Sequence, residues 1–239
     1  EHKERKISWL ELFYDLVYVI AIAKITHHLS RHLGLAGLLD YFYFFIIIFW
    51  SWLNGSLYHD LHAAAGLRTR LMTLWQMLIV AALVVTIDSQ ALGSIRNSTI
   101  VIMIMQVYIT YLWWSVGIYD KHHRRLNRPY TVLYLLSLGL MSMALFLESP
   151  FSRVILYVTL ILNYLPPFLV STIFNRDTGK LSLSSSMSER LGLFTIIIFG
   201  EVISGVVNGV SAAPNLSIGV WLDFSLAVAV VFALCWIFF

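Results

Sequence analysis

The sequence predicts an all-α fold, a polytopic transmembrane helical bundle of about eight spans with the N-terminus cytoplasmic. Three observations lead there. Of 239 residues, 59% are hydrophobic and only 12% are charged, where a soluble domain is roughly a quarter charged. The 29 charges are too few to coat a globule of this size, which excludes a large water-soluble domain. The apolar residues fall in runs near the roughly 20 residues that cross a bilayer as a helix. Finally, 12 of the 16 Lys and Arg residues fall on one side of the resulting topology and 3 on the other, with Lys24 inside a span. Cytoplasmic loops are the ones enriched in these residues.

Taken in order, the spans are residues 8–29, 37–58, 70–88, 98–119, 129–148, 152–174, 187–209 and 217–239. The first contains Glu11 and Asp15 and has no small-residue cleavage pattern, so it is not a removable signal. The second holds the uninterrupted apolar run from Tyr41 to Trp50. The separators are short: Gly34 to Ala36, Ala63 to Arg68, and a charged segment from Asp120 to Arg128 closed by Pro129, a residue suited to the first turn of a helix. Ser149-Pro150 divides the fifth and sixth spans, Asn175 to Ser186 is polar and serine-rich, and Pro214 lies before the eighth span. Helices are required because lipid offers the backbone no hydrogen-bond partner, and the alternation of a membrane barrel is missing. The chain ends at Cys235-Trp236-Ile237-Phe238-Phe239 without a polar exit, so a truncated C-terminus and a longer parent protein are expected. Residues 1–239 read as a single transmembrane domain, with a six-helix unit at 1–180 followed by the start of a second unit at 181–239 as a further expectation.

Polar groups inside spans are costly and mark the informative positions. Glu11 and Asp15 lie four residues apart on one helix face, which Tyr18, Ile22 and Thr26 roughly extend. They read either as a proton or cation site or as a fixed structural acid pair. Asn54, near the end of the second span, is a candidate for a polar cavity. His59 and His62 stand three residues apart and could share a proton, a metal or a haem; solvation at the interface is the plainer reading. Lys24 and Glu201 fall at similar depth in spans of the same direction and are expected to pair. Ser186-Met187-Ser188-Glu189 fits a helix capping box, and Arg190 beside it could reach Glu11 or Asp15. Gly200…Ser204 and Gly205…Gly209 have the small-residue spacing of close helix contacts. Pro166 and Pro167 interrupt the sixth span and should free the carbonyls of Leu162 and Asn163. Gln76 and Gln106 should hydrogen-bond between helices. No zinc-protease, phosphate-loop or nucleophile-elbow motif occurs.

The segments Trp9-Leu10-Glu11-Leu12-Phe13-Tyr14-Asp15-Leu16-Val17-Tyr18-Val19 and Ser188-Glu189-Arg190-Leu191-Gly192-Leu193-Phe194 through Phe199-Gly200-Glu201 resemble the bacterial low temperature requirement protein A family. Leu74-Trp75-Gln76-Met77 and Asn163-Tyr164-Leu165-Pro166-Pro167 resemble it more weakly. The matching ionisable positions are Glu11, Asp15, Glu189, Arg190 and Glu201. Lys24 and His59-Asp60-Leu61-His62 depart from the family pattern. The resemblance implies a membrane protein linked by name to growth in the cold, without a settled activity. Leu12-Phe13 and Leu193-Phe194, each near the start of a span, hint at an internal duplication of the kind seen in transporters.

The leading functional expectation is a transporter or channel that moves protons or small ions or solutes along a polar path of Glu11, Asp15, Lys24, Asn54, Asn163, Glu189, Arg190 and Glu201. The rivals are a membrane-embedded metal-, haem- or lipid-binding protein or enzyme, with His59 and His62 as the metal candidates, and a stress-response scaffold. The expected partners are the lipid bilayer of the cell membrane and a small ion or solute, with a homo-oligomer as a further expectation. No nucleic acid and no resident cofactor are expected.

Overall fold

A computed structural model describes residues 8–31, 34–62, 66–88, 94–119, 124–148, 150–173, 185–211 and 215–239. These residues form eight helices: α1 (Trp9–Arg31), α2 (Leu35–His62), α3 (Leu67–Asp88), α4 (Ser94–Tyr119), α5 (Arg124–Ala144), α6 (Phe151–Ile173), α7 (Ser185–Ser211) and α8 (Ile218–Phe238). No strand occurs among them. Six helices, namely α2, α3, α4, α6, α7 and α8, contain stretches long and apolar enough to cross a membrane by length and composition. The other two carry more charge: Glu11, Asp15, Lys24 and Arg31 in α1, and Arg124, Arg125 and Arg128 at the start of α5. The chain is therefore a helical membrane bundle.

It divides into two compact units, residues 1–187 and 188–239. In the first, α2 is the hub and packs against α1, α4 and α6. The remaining helices follow one another around it, with contacts between α1 and α3, α3 and α4, α4 and α5, and α5 and α6. At 28 residues α2 is the longest helix, about 42 Å at 1.5 Å per residue, which exceeds the hydrocarbon thickness of about 30 Å. Its aromatic side chains form a ladder that runs from half-buried Tyr41, Phe45 and Phe49 to buried Trp52, with ring centroids 5.9 Å apart for Tyr41–Phe45, 6.2 Å for Phe45–Phe49 and 5.7 Å for Phe49–Trp52. The second unit contains α8 and nearly all of α7. Ser217 caps α8 by accepting from the Val220 amide, and most side chains of α8 are exposed.

Many exposed side chains are apolar, including Phe13, Ile20, Trp75, Leu78, Ile161, Leu222 and Phe232. In water such a surface would aggregate, whereas in a bilayer it faces hydrocarbon. The hydroxyls on these helices largely turn back to their own backbone. Thr26 donates to the Ile22 carbonyl, Thr110 to Gln106, Ser142 to Leu138 and Ser225 to Trp221, each at 2.7–2.9 Å. This i−4 bonding satisfies a hydroxyl without a neighbouring helix.

Four local expectations change. Pro129 sits inside α5 because that helix already begins at Arg124; the arginines are good helix formers, so the helix extends back over the charged segment. The buried stripe of α1 runs through Glu11, Asp15, Tyr18, Ile22 and Ile25, and Thr26 is exposed, since 3.6 residues per turn favours i+3 as often as i+4. α7 begins at Ser185, so Ser186 is already helical and Glu189 is exposed. The capping box instead closes α1: Ser8 Oγ accepts from the Glu11 amide at 3.3 Å, and Glu11 Oε2 accepts from the Ser8 amide at 2.8 Å and from its hydroxyl at 3.0 Å. The close-contact glycine is Gly55 rather than Gly200, Gly205 or Gly209, near whose missing Cβ positions no described atom comes within 4 Å.

Candidate functional site

Asp15 lies in the second turn of α1, fully buried, and its Oδ1 accepts a hydrogen bond from the Trp52 indole on α2 at 2.7 Å. One residue earlier, Tyr14 donates to the Trp52 carbonyl at 3.4 Å. One turn later, the Tyr18 hydroxyl lies 2.7 Å from Ser51 Oγ. Gln76 of α3 completes the group. Its Nε2 stands 2.9 Å from Tyr14 Oη, 2.8 Å from Tyr18 Oη, 3.1 Å from the Ser51 carbonyl and 3.4 Å from Ser51 Oγ. Its Oε1 is buried without a hydrogen-bond partner. Gly55 makes this convergence geometrically feasible. A Cβ there would overlap Tyr14 Oη and stand 2.7 Å from both Gln76 amide atoms, far inside van der Waals contact.

One turn further along α2, His59 is buried and its Nε2 lies 3.0 Å from Thr73 Oγ1 on α3. Its ring meets that of Tyr14 edge-on, centroids 6.2 Å apart. Ser51, Gly55 and His59, spaced by four, thus give α2 one polar face directed at α1 and α3.

A second polar group lies on the other side of α2. Asn54 Oδ1 accepts from the Trp113 indole of α4 at 2.8 Å and from the Tyr134 hydroxyl of α5 at 2.9 Å, and its Nδ2 donates to the Trp50 carbonyl at 2.9 Å. Gln106 of α4 and Asn163 of α6 exchange two amide hydrogen bonds, at 3.1 and 3.0 Å. The Asn163 carbonyl accepts from the Trp50 indole at 3.0 Å. This is one of the two carbonyls that the proline pair was expected to release, since a helix would fill it from residue 167 and Pro167 has no N–H.

Of the residues singled out from the sequence, Asp15, Asn54 and His59 gather on or beside α2, and Asn163 joins them through Trp50. Glu11 is buried at the start of α1 in its capping box. Lys24 is exposed on α1. In the second unit, Glu189 and Glu201 are exposed on α7 and Arg190 is buried. The side chain of His62 lies outside the described residues. Among those described, no three His, Cys, Asp or Glu side chains gather where they could hold a metal ion. On α2 the residues that sequence reasoning passed over are Trp50, Ser51, Trp52 and Gly55, and on its neighbours Tyr14, Thr73, Trp113 and Tyr134. The signal was present in Trp50-Ser51-Trp52-Leu53-Asn54-Gly55, because buried indoles require acceptors and a glycine amid bulky residues marks a close approach.

Long apolar helices around a hub that carries polar groups on two faces define a polytopic integral membrane protein with a buried polar interior. The chain belongs to the bacterial low temperature requirement A protein (LtrA) family, whose model matches residues 6–239. Neither the curated proteins nor the solved structures give a match.

Proposed function

We propose that the chain is the membrane-embedded part of a transporter or channel of the cell membrane that moves protons or small ions, with Asp15 as the central ionisable group of its path. The reading is supported chiefly by the burial of Asp15 inside a run of groups that can pass or coordinate a cation: Tyr14, Tyr18, Ser51, Gln76, Thr73 and His59. Carboxylates at membrane depth are expensive and concentrate along ion and proton routes. Single polar side chains commonly hydrogen-bond between membrane helices, whereas here a carboxylate, an imidazole, an amide and four hydroxyls converge on three helices.

Asn54 with Asn163 forms the polar wall of the proposed path on the far side of α2. With the Lys- and Arg-rich loops in the cytoplasm, Glu11 and Asp15 stand toward the inner face.

The test is flux in proteoliposomes under an imposed pH or cation gradient. Asp15→Asn keeps an oxygen acceptor for the Trp52 indole and removes the charge. Loss of flux in that variant, with the protein still monodisperse and helical, is the expected result. Wild-type vesicles as impermeable to protons and alkali cations as empty liposomes would overturn the reading.

A further inference from the structure

We infer that Tyr14, Tyr18, Ser51 and Gln76 form an oxygen-lined site for a small monovalent cation of potassium or ammonium size, and that the Gln76 amide occupies this site until the ion displaces it. The inference rests on the transport reading for its role and on separate geometry for its existence.

Four oxygens surround Gln76 Nε2: Tyr14 Oη, Tyr18 Oη, the Ser51 carbonyl and Ser51 Oγ, at 2.8–3.4 Å. An amide NH2 has two hydrogens to give, so it serves at most two of the four oxygens, while Tyr18 Oη and Ser51 Oγ also bond to each other. A desolvated cation is coordinated by all of them at once, and hard cations take oxygen ligands of this mixed kind, carbonyl and hydroxyl together. The spacing is that of a hydrogen-bonded nitrogen, which suits an ammonium or potassium ion; sodium would have to draw the oxygens inward.

The second observation is Gln76 Oε1. It is wholly buried and has no hydrogen-bond partner, a state that costs roughly 1–3 kcal/mol. Turning the amide over would bring Oε1 among the four oxygens and leave the NH2 in its place. Without an ion the NH2 faces inward. With an ion, Oε1 faces inward and becomes a fifth oxygen ligand. Gly55 leaves the other side of the amide without a side chain of its own.

Charge also fits. The four side chains are neutral, which disfavours a divalent ion. Asp15, adjacent to Tyr14 and bonded to the Trp52 indole, places the nearest carboxyl group beside the site.

The experiment titrates the purified full chain in detergent with potassium, ammonium, sodium and choline chlorides at constant ionic strength, reading the intrinsic fluorescence of its tryptophans, since Trp52 joins Asp15 to Tyr14. A saturable change with potassium or ammonium, weaker with sodium and absent with choline, is expected. Tyr18→Phe and Gln76→Met each remove an oxygen and should weaken binding about tenfold or more, while Gln76→Glu should tighten it by a similar factor. Circular dichroism and gel filtration establish that each variant is folded. Equal responses to choline and potassium, or a midpoint unmoved by all three substitutions, would overturn the inference. The two readings fail separately. Asp15-dependent flux without selective binding would sink the cation site alone, and selective binding without flux would sink the transport reading alone.

Discussion

The indole of Trp50 donates to the carbonyl of Asn163 across 3.0 Å and 113 positions of sequence, taking the acceptor that Pro167 leaves vacant one turn along α6. A side chain of the hub helix thus completes the backbone of a neighbour. The break in α6 is tolerable in a bilayer because another helix satisfies it.

Trp50→Phe keeps most of the ring's contact with Tyr134, at 5.4 Å between centroids, and removes the donor. It should cost about 1–3 kcal/mol, the penalty for stranding a buried carbonyl. Pro167→Ala supplies an N–H for the same carbonyl, so the loss in the double variant should be smaller than in Trp50→Phe alone. Thermal unfolding of the four proteins in one detergent gives the cycle; strict additivity would mean that the indole is not repairing the proline break.

Gly55→Ala places a methyl group against Tyr14 Oη and the Gln76 amide. Either the helices part or the amide leaves, and overpacking of this kind costs about 1–3 kcal/mol. Gly139→Ala and Gly205→Ala meet open space and should be neutral or stabilising by up to ~1 kcal/mol. Melting temperatures that fell equally in all three would contradict the structure.

Gln106 and Asn163 satisfy each other through two amide hydrogen bonds. Gln106→Leu should destabilise by about 1–3 kcal/mol because it leaves a buried amide unpaired, and adding Asn163→Leu should recover much of that loss. A double-mutant cycle by thermal unfolding measures the coupling, and the expected sign is a double variant more stable than Gln106→Leu.

Glu11 closes the capping box of α1, a task that Gln performs as well. Glu11→Gln should therefore leave both stability and any flux unchanged, whereas Ser8→Ala should cost about 0.5–2 kcal/mol. Loss of flux in Glu11→Gln at unchanged stability would return Glu11 to the ion path.

The helices were legible because lipid imposes one rule, about 20 apolar residues per span, and α2, α3, α4, α6, α7 and α8 obey it. The proline break was legible for a similar reason, since Pro167 must free a carbonyl whatever surrounds it. Its partner was not. Trp50 continues the apolar run from Tyr41, and only the approach of α6 to α2 shows that its N–H is used. Asp15 and Asn54 stood out as polar residues in apolar runs, and both are buried with polar partners. Glu11 stood out equally, yet Ser8-Trp9-Leu10-Glu11 also spells a helix start, a local signal that the charge obscured. Glycine spacing pointed to α7, where the spacing is regular; Gly55, alone in α2, has the crowded surroundings. Spacing records what could pack, and only tertiary contacts show what does.

The hub position of α2 bears on how the protein is made. Its polar groups draw their partners from α1, α3, α4, α5 and α6, and the last of these leaves the ribosome more than a hundred residues after Trp50. Ser51 finds Tyr18 on a helix made before α2, and His59 and Asn54 find Thr73, Trp113 and Tyr134 on α3, α4 and α5. The Trp50 indole alone must wait for α6, and lipid offers it no acceptor meanwhile. The proline break and its repair are thus made at the same moment, when the sixth helix docks on the second.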